Sequence, residues 1–275
     1  MSIFKPDPRI PPRVLATDLD GTFIPLPGHA DNLAALETFR QARAENRLGL
    51  VFATGRHFES VLEALRQHAL PAPDWIVCDV GTSIYRRQAE SFVLLAPFET
   101  HLAETTHGVD RTAVEALLAD LDGLVLQSPE RQQRFKISYV SSAAAAEPLA
   151  ALANQRLAQA SLPYACLASI DPFHGKGLLD VLPNGASKAA ALIWLATHAD
   201  FTADEVVFAG DSGNDLAALV CGFRAIVVAN ASAELADEAR CELARRGLER
   251  RLFQATLPAT SGVLEGCRRF GLVSS

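Results

Sequence analysis

The sequence predicts an α/β protein: a Rossmann-like core with a mainly parallel sheet, plus an inserted α+β cap domain. Three observations carry that prediction. Short apolar runs at 14–16, 48–53 and 75–80 each close in a glycine-bearing turn, and helical stretches lie between them. Such alternation yields parallel strands joined by right-handed crossovers. From about 86 to 184 the glycine-closed strand ends disappear, and after Pro183 the first rhythm returns. The expected division is therefore a core of 1–86 with 185–275, and a cap of 87–184.

The first run, Val14-Leu15-Ala16, leads into Asp18-Leu19-Asp20-Gly21-Thr22. Asp31 is expected to cap a helix over 31–43, with Leu33, Leu36, Phe39 and Arg40 at helical spacing. The second run closes in Thr54-Gly55-Arg56, and a helix over 58–68 stops before Pro71 and Pro73. The third closes in Gly81-Thr82-Ser83. Within the insert, helices are expected over 112–121 and 143–159, with strands at 135–140, 164–169 and 178–182. Beyond it come a helix over 187–198, a strand at 206–209 ending in Gly210-Asp211, a helix from about 213, a strand at 225–229 and a helix over 233–240. No internal repeat is visible.

Composition narrows the function classes. Hydrophobic residues make up 49% of the chain and charged residues 21%, as in soluble globular proteins. The net charge of −7 argues against nucleic-acid and anionic-membrane partners. Five scattered cysteines without a C-x-x-C pair fit a reducing compartment, so a cytoplasmic location is expected. His101 and His107 flank Glu104 without the H-E-x-x-H spacing of a zinc site. The proline-rich N-terminus has no apolar core, so a signal peptide is not expected, and no apolar run is long enough to span a bilayer. The sequence leaves the oligomeric state open, a monomer included.

Four stretches fall at strand ends or helix starts, where open α/β sheets bind ligands. If extended geometry persists, Asp18 and Asp20 point the same way. Carboxylates that close call for a cation or a shared proton, hence a metal ion or an acid/base pair. Asp-x-Asp-Gly also opens Ca²⁺ loops, but residues 23–27 (FIPLP) supply no further side-chain oxygen ligands. Thr54-Gly55-Arg56 offers a hydroxyl and backbone N–H groups at a helix entry, able to cradle a phosphate. Lys188, near a helix start, supplies a fixed cation. Asp211 and Asp215 add carboxylates one helical turn apart, with Asn214 beside them. Together they suggest a carboxylate cluster for Mg²⁺ beside phosphate-binding groups, suited to phosphoryl transfer through an aspartyl-phosphate.

DLDGT, TGR, the lysine of GASK, and GDSGND, in that order, resemble the haloacid dehalogenase superfamily of phosphohydrolases. A narrower resemblance runs along nearly the whole chain. VGTSIY, LQSP, FKISY, LDVLPNGASK, VVANA and SGVLEG resemble sucrose-phosphate phosphatases and the related mannosylfructose-phosphate and glucosyl- or mannosyl-3-phosphoglycerate phosphatases. The resemblance implies that Asp18 is the nucleophile and a Mg²⁺ ligand. It implies that Asp20 is the general acid/base and lends its backbone carbonyl to the metal. Thr54, Gly55, Lys188 and Asn214 then hold phosphate, Asp211 ligates Mg²⁺, and Asp215 lies near it. Lys136, in FKISY, and Arg56 become candidate substrate contacts. A lysine on a strand is ordinarily solvated, but Phe135 and Ile137 flank Lys136 and face the other way. Ser83, Leu178 and the region around His107 depart from the family pattern, all where the sugar is read. The expected substrate is a small sugar phosphate, sucrose 6-phosphate or a similar disaccharide phosphate. A phosphosugar mutase and a non-catalytic phosphosugar-binding module are the alternatives.

Overall fold

A computed structural model describes residues 11–45, 48–170 and 174–274; the proline-rich stretch 1–10, and with it most of the segment read for a signal peptide, lies outside them. Contacts divide the chain into two units, Met1–Leu94 with Ser187–Ser275, and Leu95–Ala186.

The first unit opens with β1 (Val14–Thr17), α1 (Ala30–Ala44), β2 (Gly49–Ala53), α2 (Phe58–Gln67) and β3 (Trp75–Cys78). Leu15, Leu50, Phe52 and Ile76 on these strands are fully buried, as expected of parallel strands covered on both faces. Then comes a difference from the sequence reading. β4 (Ser83–Gln88) and β5 (Ser91–Leu94) form an antiparallel hairpin that extends this same sheet, with Ile76 opposite Tyr85 and Tyr85 opposite Leu94. The expected boundary at 86/87 thus falls inside β4. Its exposed end, Arg86-Arg87-Gln88, is polar and has no glycine-closed terminus, so its pattern matches the insert and not the core.

The second unit holds α3 (Ala96–Thr105), α4 (Arg111–Leu118), β6 (Val125–Leu126), β7 (Ile137–Ser141), α5 (Ala146–Gln159), β8 (Tyr164–Ile170) and β9 (Gly177–Pro183). Its sheet is antiparallel in the order β6-β7-β9-β8. Ile137, Tyr139, Cys166, Leu179 and Val181 pack from one face against Val114, Leu118, Ala153 and Leu157. The alternating residues Ser138, Leu167, Leu178 and Asp180 belong to the other face. The α+β character expected of the insert is present; α3 and the short β6 were not foreseen.

The chain returns to the first unit through α6 (Lys188–His198), β10 (Val206–Gly210), α7 (Leu216–Leu219), β11 (Arg224–Val227), α8 (Ala233–Arg245), β12 (Leu252–Gln254) and α9 (Ala259–Phe270). The completed sheet runs β12-β11-β10-β1-β2-β3-β4-β5, parallel up to β3. β12 and α9 were also absent from the sequence reading. Among the described residues no helix is long and apolar enough to cross a membrane. All five cysteines are free thiols.

α1 differs from expectation in its inward face. His29, not Asp31, precedes the helix, and Leu33 is 61% exposed. The buried stripe is Asn32, Ala35, Leu36, Phe39 and Ala42. Asn32 lies on that stripe and is bonded to residues outside the helix. Its amide donates to Pro258 O (3.1 Å) and Ser261 Oγ (2.8 Å) and accepts from Leu26 N–H (3.0 Å). Asn32→Ala should therefore strand these groups and lower stability by about 1–3 kcal/mol, measurable by urea unfolding.

Candidate active site

Asp18 follows β1 in extended conformation (φ −65°, ψ 165°). The chain then makes one wide turn over Leu19–Phe23, closed by Ile24 N–H to Leu19 O at 2.9 Å. Gly21 sits inside it at φ +73°, and a Cβ there would lie 2.3 Å from Asp211 Oδ2. Only glycine meets both conditions. The extended run expected through Asp20 stops at Leu19, so Asp18 and Asp20 part company. Asp18 goes into the interior. Asp20, its side chain 43% exposed, receives both arms of Arg56, Nε to Oδ2 at 2.7 Å and Nη2 to Oδ1 at 2.6 Å. Ser60 Oγ in α2 holds the remaining guanidinium nitrogen at 3.1 Å.

Lys188, the first residue of α6, is 1% exposed. Ser187 caps the helix by accepting from Ala190 N–H at 3.1 Å. The turn after β3 packs against this helix start so tightly that a Cβ on Gly81 would lie 2.2 Å from Ser187 O. Held there, the Lys188 ammonium lies 2.8 Å from Asp215 Oδ1, 2.8 Å from Asn214 Oδ1 and 3.0 Å from Asp18 Oδ1. The other Asp215 oxygen accepts the backbone N–H groups of Asp211 and Ser212, each at 3.1 Å. Thr22 Oγ donates to Asp211 Oδ1 at 2.7 Å. Thr54, at the end of β2, is buried and accepts from Arg56 N–H at 3.2 Å.

Carboxylate oxygens of Asp18, Asp211 and Asp215 lie within 4.8 Å of one another, the spacing of a metal site. Asp20 contributes no carboxylate to that group. The donor set fits a hard divalent cation on two grounds. Asp18 Oδ1 is buried and accepts no well-aligned hydrogen bond, although the Lys188 charge is 3.0 Å away. Four carboxylates here face two cationic side chains, an excess that would repel a phosphate unless a cation offset it.

Burial pushes the Asp18 carboxyl up to about 7 against the pull of Lys188, and Asp215 adds to the rise. Burial also raises Asp211 to about 6, although the Thr22 hydroxyl opposes it. Lys188 is pulled down by burial, but its pairs with Asp18 and Asp215 outweigh this and hold it charged.

In the second unit Lys136 lies just before β7, not within it, bridged to Gln133. It is 8% exposed, 3.6 Å from Asp180 Oδ1, which also accepts from Ser138 Oγ at 2.6 Å. Thr22 and Ser212 neighbour the carboxylate cluster of the first unit through their hydroxyls, Thr22 on Asp211 and Ser212 on Asn214. Both lie inside the quoted motifs, as the hydroxyl residues of DLDGT and GDSGND.

A family model for sucrose-6F-phosphate phosphohydrolase matches residues 11–271. The chain belongs to that family. A mannosylfructose-phosphate phosphatase of Agrobacterium fabrum is 31% identical over 265 residues, covering 95% of this chain and 98% of that one. A HAD-like hydrolase of Nitrosococcus oceani is 35% identical over 229 residues, covering 82% of this chain; the match spans 61% of the Nitrosococcus protein. The structure of a Synechocystis sucrose-phosphatase, solved with sucrose and phosphate, superposes with a TM-score of 0.74 at 25% identity over 97% of this chain and all of that one. The fold is thus that of the HAD-like hydrolases with a cap domain.

The raised carboxyls carry a sign. Asp18 and Asp211 bind protons more tightly folded than unfolded, so this contribution to metal-free stability is full at low pH. It is lost as pH rises from about 4 through about 6 to 7. Protons and a divalent cation compete for the same oxygens. The rise in Tm on adding a divalent cation should therefore be small at about pH 5 and largest at about pH 8, by calorimetry.

Proposed function

We propose that this protein is a Mg²⁺-dependent phosphatase that hydrolyses a disaccharide phosphate, sucrose 6-phosphate being the leading substrate. The observation that carries the reading is the buried Lys188 ammonium between Asp18 and Asp215, beside a carboxylate oxygen with no aligned partner. Asp18 would attack phosphorus: a carboxylate oxygen–phosphorus bond forms and the phosphorus–sugar oxygen bond breaks. Asp20, with one oxygen released by Arg56 and protonated, would give that proton to the departing sugar oxygen. In the second half, Asp20 takes a proton from the water that attacks the aspartyl-phosphate, releasing inorganic phosphate and restoring Asp18.

Thr54, the Gly55 backbone, Lys188 and Asn214 would bind and orient the phosphoryl oxygens. Asp18, Asp211 and the Asp20 backbone carbonyl would hold Mg²⁺, with Asp215 behind them; when bound, the ion supplies positive charge to the phosphoryl oxygens. Asp215 has both oxygens engaged already, so its part is to fix Lys188 and the start of the Asp211 segment. Arg56 would orient Asp20 and reach the substrate only through it. Lys136, backed by Asp180 and Ser138, would read sugar hydroxyls.

Mannosylfructose phosphate is a second reading, favoured by the near full-length match to the Agrobacterium phosphatase. A phosphate-release screen over sugar phosphates with Mg²⁺ decides between them by kcat/KM. Release without a bisphosphate activator excludes the mutase alternative, and turnover itself excludes the binding module.

Asp18→Asn should abolish nearly all turnover while the protein stays folded; activity within about tenfold of wild type, only ~1.4 kcal/mol of barrier, would remove Asp18 as nucleophile. Chelation by EDTA should abolish activity, and Mg²⁺ should restore it. Lys136→Ala should raise KM for the true sugar phosphate by about 1–3 kcal/mol of binding and leave an aryl phosphate nearly untouched. Equal damage to both substrates, or to neither, would mean that Lys136 does not read the sugar.

A further inference from the structure

We propose that Asn230 is a positioning residue of the catalytic turn, fixing the Gly21 peptide and through it Asp20 and Thr22. The catalytic significance rests on the reading above; the structural hold does not.

Asn230 lies beyond the end of β11 and is solvent-exposed. An exposed asparagine amide is ordinarily satisfied by water. Here both ends are spent on backbone groups of two distant segments. Nδ2 donates to Gly21 O at 2.8 Å, and Oδ1 accepts from Ala259 N–H at 2.8 Å. Only one orientation of the amide serves both, because Gly21 O can only accept and Ala259 N–H can only donate.

The partners explain why such a pin is needed. Gly21 reverses the chain at φ +73° and has no side chain to anchor it. Its carbonyl belongs to the peptide that leads into Thr22. Rotating that peptide would move Thr22 Oγ off Asp211 Oδ1, a 2.7 Å bond, and would change the direction in which Asp20 leaves the turn. At the other end of the turn, Thr260 Oγ donates to Phe23 O at 3.0 Å. Thr260 and Ala259 are the first residues of α9, and Ala259 is itself held at φ +45°. Asn230 therefore bridges the start of α9 to the carbonyl of the glycine at which the turn reverses.

Two variants separate this role from simple bracing of α9. Asn230→Asp keeps the acceptor for Ala259 N–H but turns an oxygen toward Gly21 O. Asn230→Ala removes both bonds. In the full-length protein, we expect hydrogen–deuterium exchange over residues 18–24 to speed up in both variants, with the Tm of Asn230→Asp close to wild type. With the best sugar phosphate from the screen, kcat should fall by about 10- to 100-fold in both, with KM within about twofold, as for a small misplacement of reacting groups. Half-saturating Mg²⁺ should rise, because Thr22 loosens from Asp211. Wild-type exchange over 18–24 in Asn230→Asp would overturn the hold on Gly21. Faster exchange with wild-type kcat would overturn its catalytic significance. If wild type turned over no phosphate ester at all, the proposed function would fail, while the exchange result would still decide whether Asn230 holds the turn.

Discussion

A single buried ammonium organises the centre of the first unit. Removing an ion from water costs several kcal/mol unless partners replace the solvent. Lys188 is 1% exposed, and its three nearest oxygens come from Asp18, Asn214 and Asp215, which belong to two other segments. Those segments must therefore end where they do. β1 delivers Asp18, the short turn after β10 delivers Asn214 and Asp215, and the glycine at 81 lets the β3 turn close on the start of α6. The same geometry concentrates more negative charge than one lysine can offset, which is the physical ground for a divalent cation beside it.

Around that pair, support comes from parts of the chain far away in sequence. The turn between Asp18 and Ile24 is stayed by Thr260, Asn230 and the Thr22–Asp211 bond. Asn32 carries the bracing outward by joining Leu26 N–H to Pro258 and Ser261. The C-terminal helix is thus part of the scaffold that shapes the turn. Polar side chains do this work because each bonded backbone group sits in a loop, in the turn or at the unpaired start of α9, where no helix or strand ladder satisfies it.

Under the proposed function, chemistry and recognition would draw on different materials. The first unit offers carboxylates, a buried lysine and an Arg56–Asp20 clamp. The second offers a sheet face with Lys136, Ser138 and Asp180 as its polar centre and Leu167 and Leu178 in the neighbouring register positions. Relatives of this chain are named for different sugar phosphates.

The sequence by itself determined the class of fold, the interrupted core and the residues that gather at its centre. Parallel strands closed by glycine turns have a strong local pattern, and acids bunched at strand ends are conspicuous because their repulsion must be offset. It was also enough to suggest family membership, because four weak motifs in a fixed order are jointly specific. What it left undecided depended on contacts across the chain. The β4–β5 hairpin carries a polar edge, so its place in the core sheet was invisible without its partner β3. The inward place of Asn32 on α1 is matched by its bonds to Pro258 and Ser261, contacts that helical periodicity does not register. Asp20 parted from Asp18 because one residue, Leu19, left the strand conformation, and Arg56 then took both Asp20 oxygens. Asn230 lies in the family-like segment VVANA, but the sequence assigned it no part; only tertiary structure, by bringing Gly21 and Ala259 within 2.8 Å of its two amide ends, gave it a role.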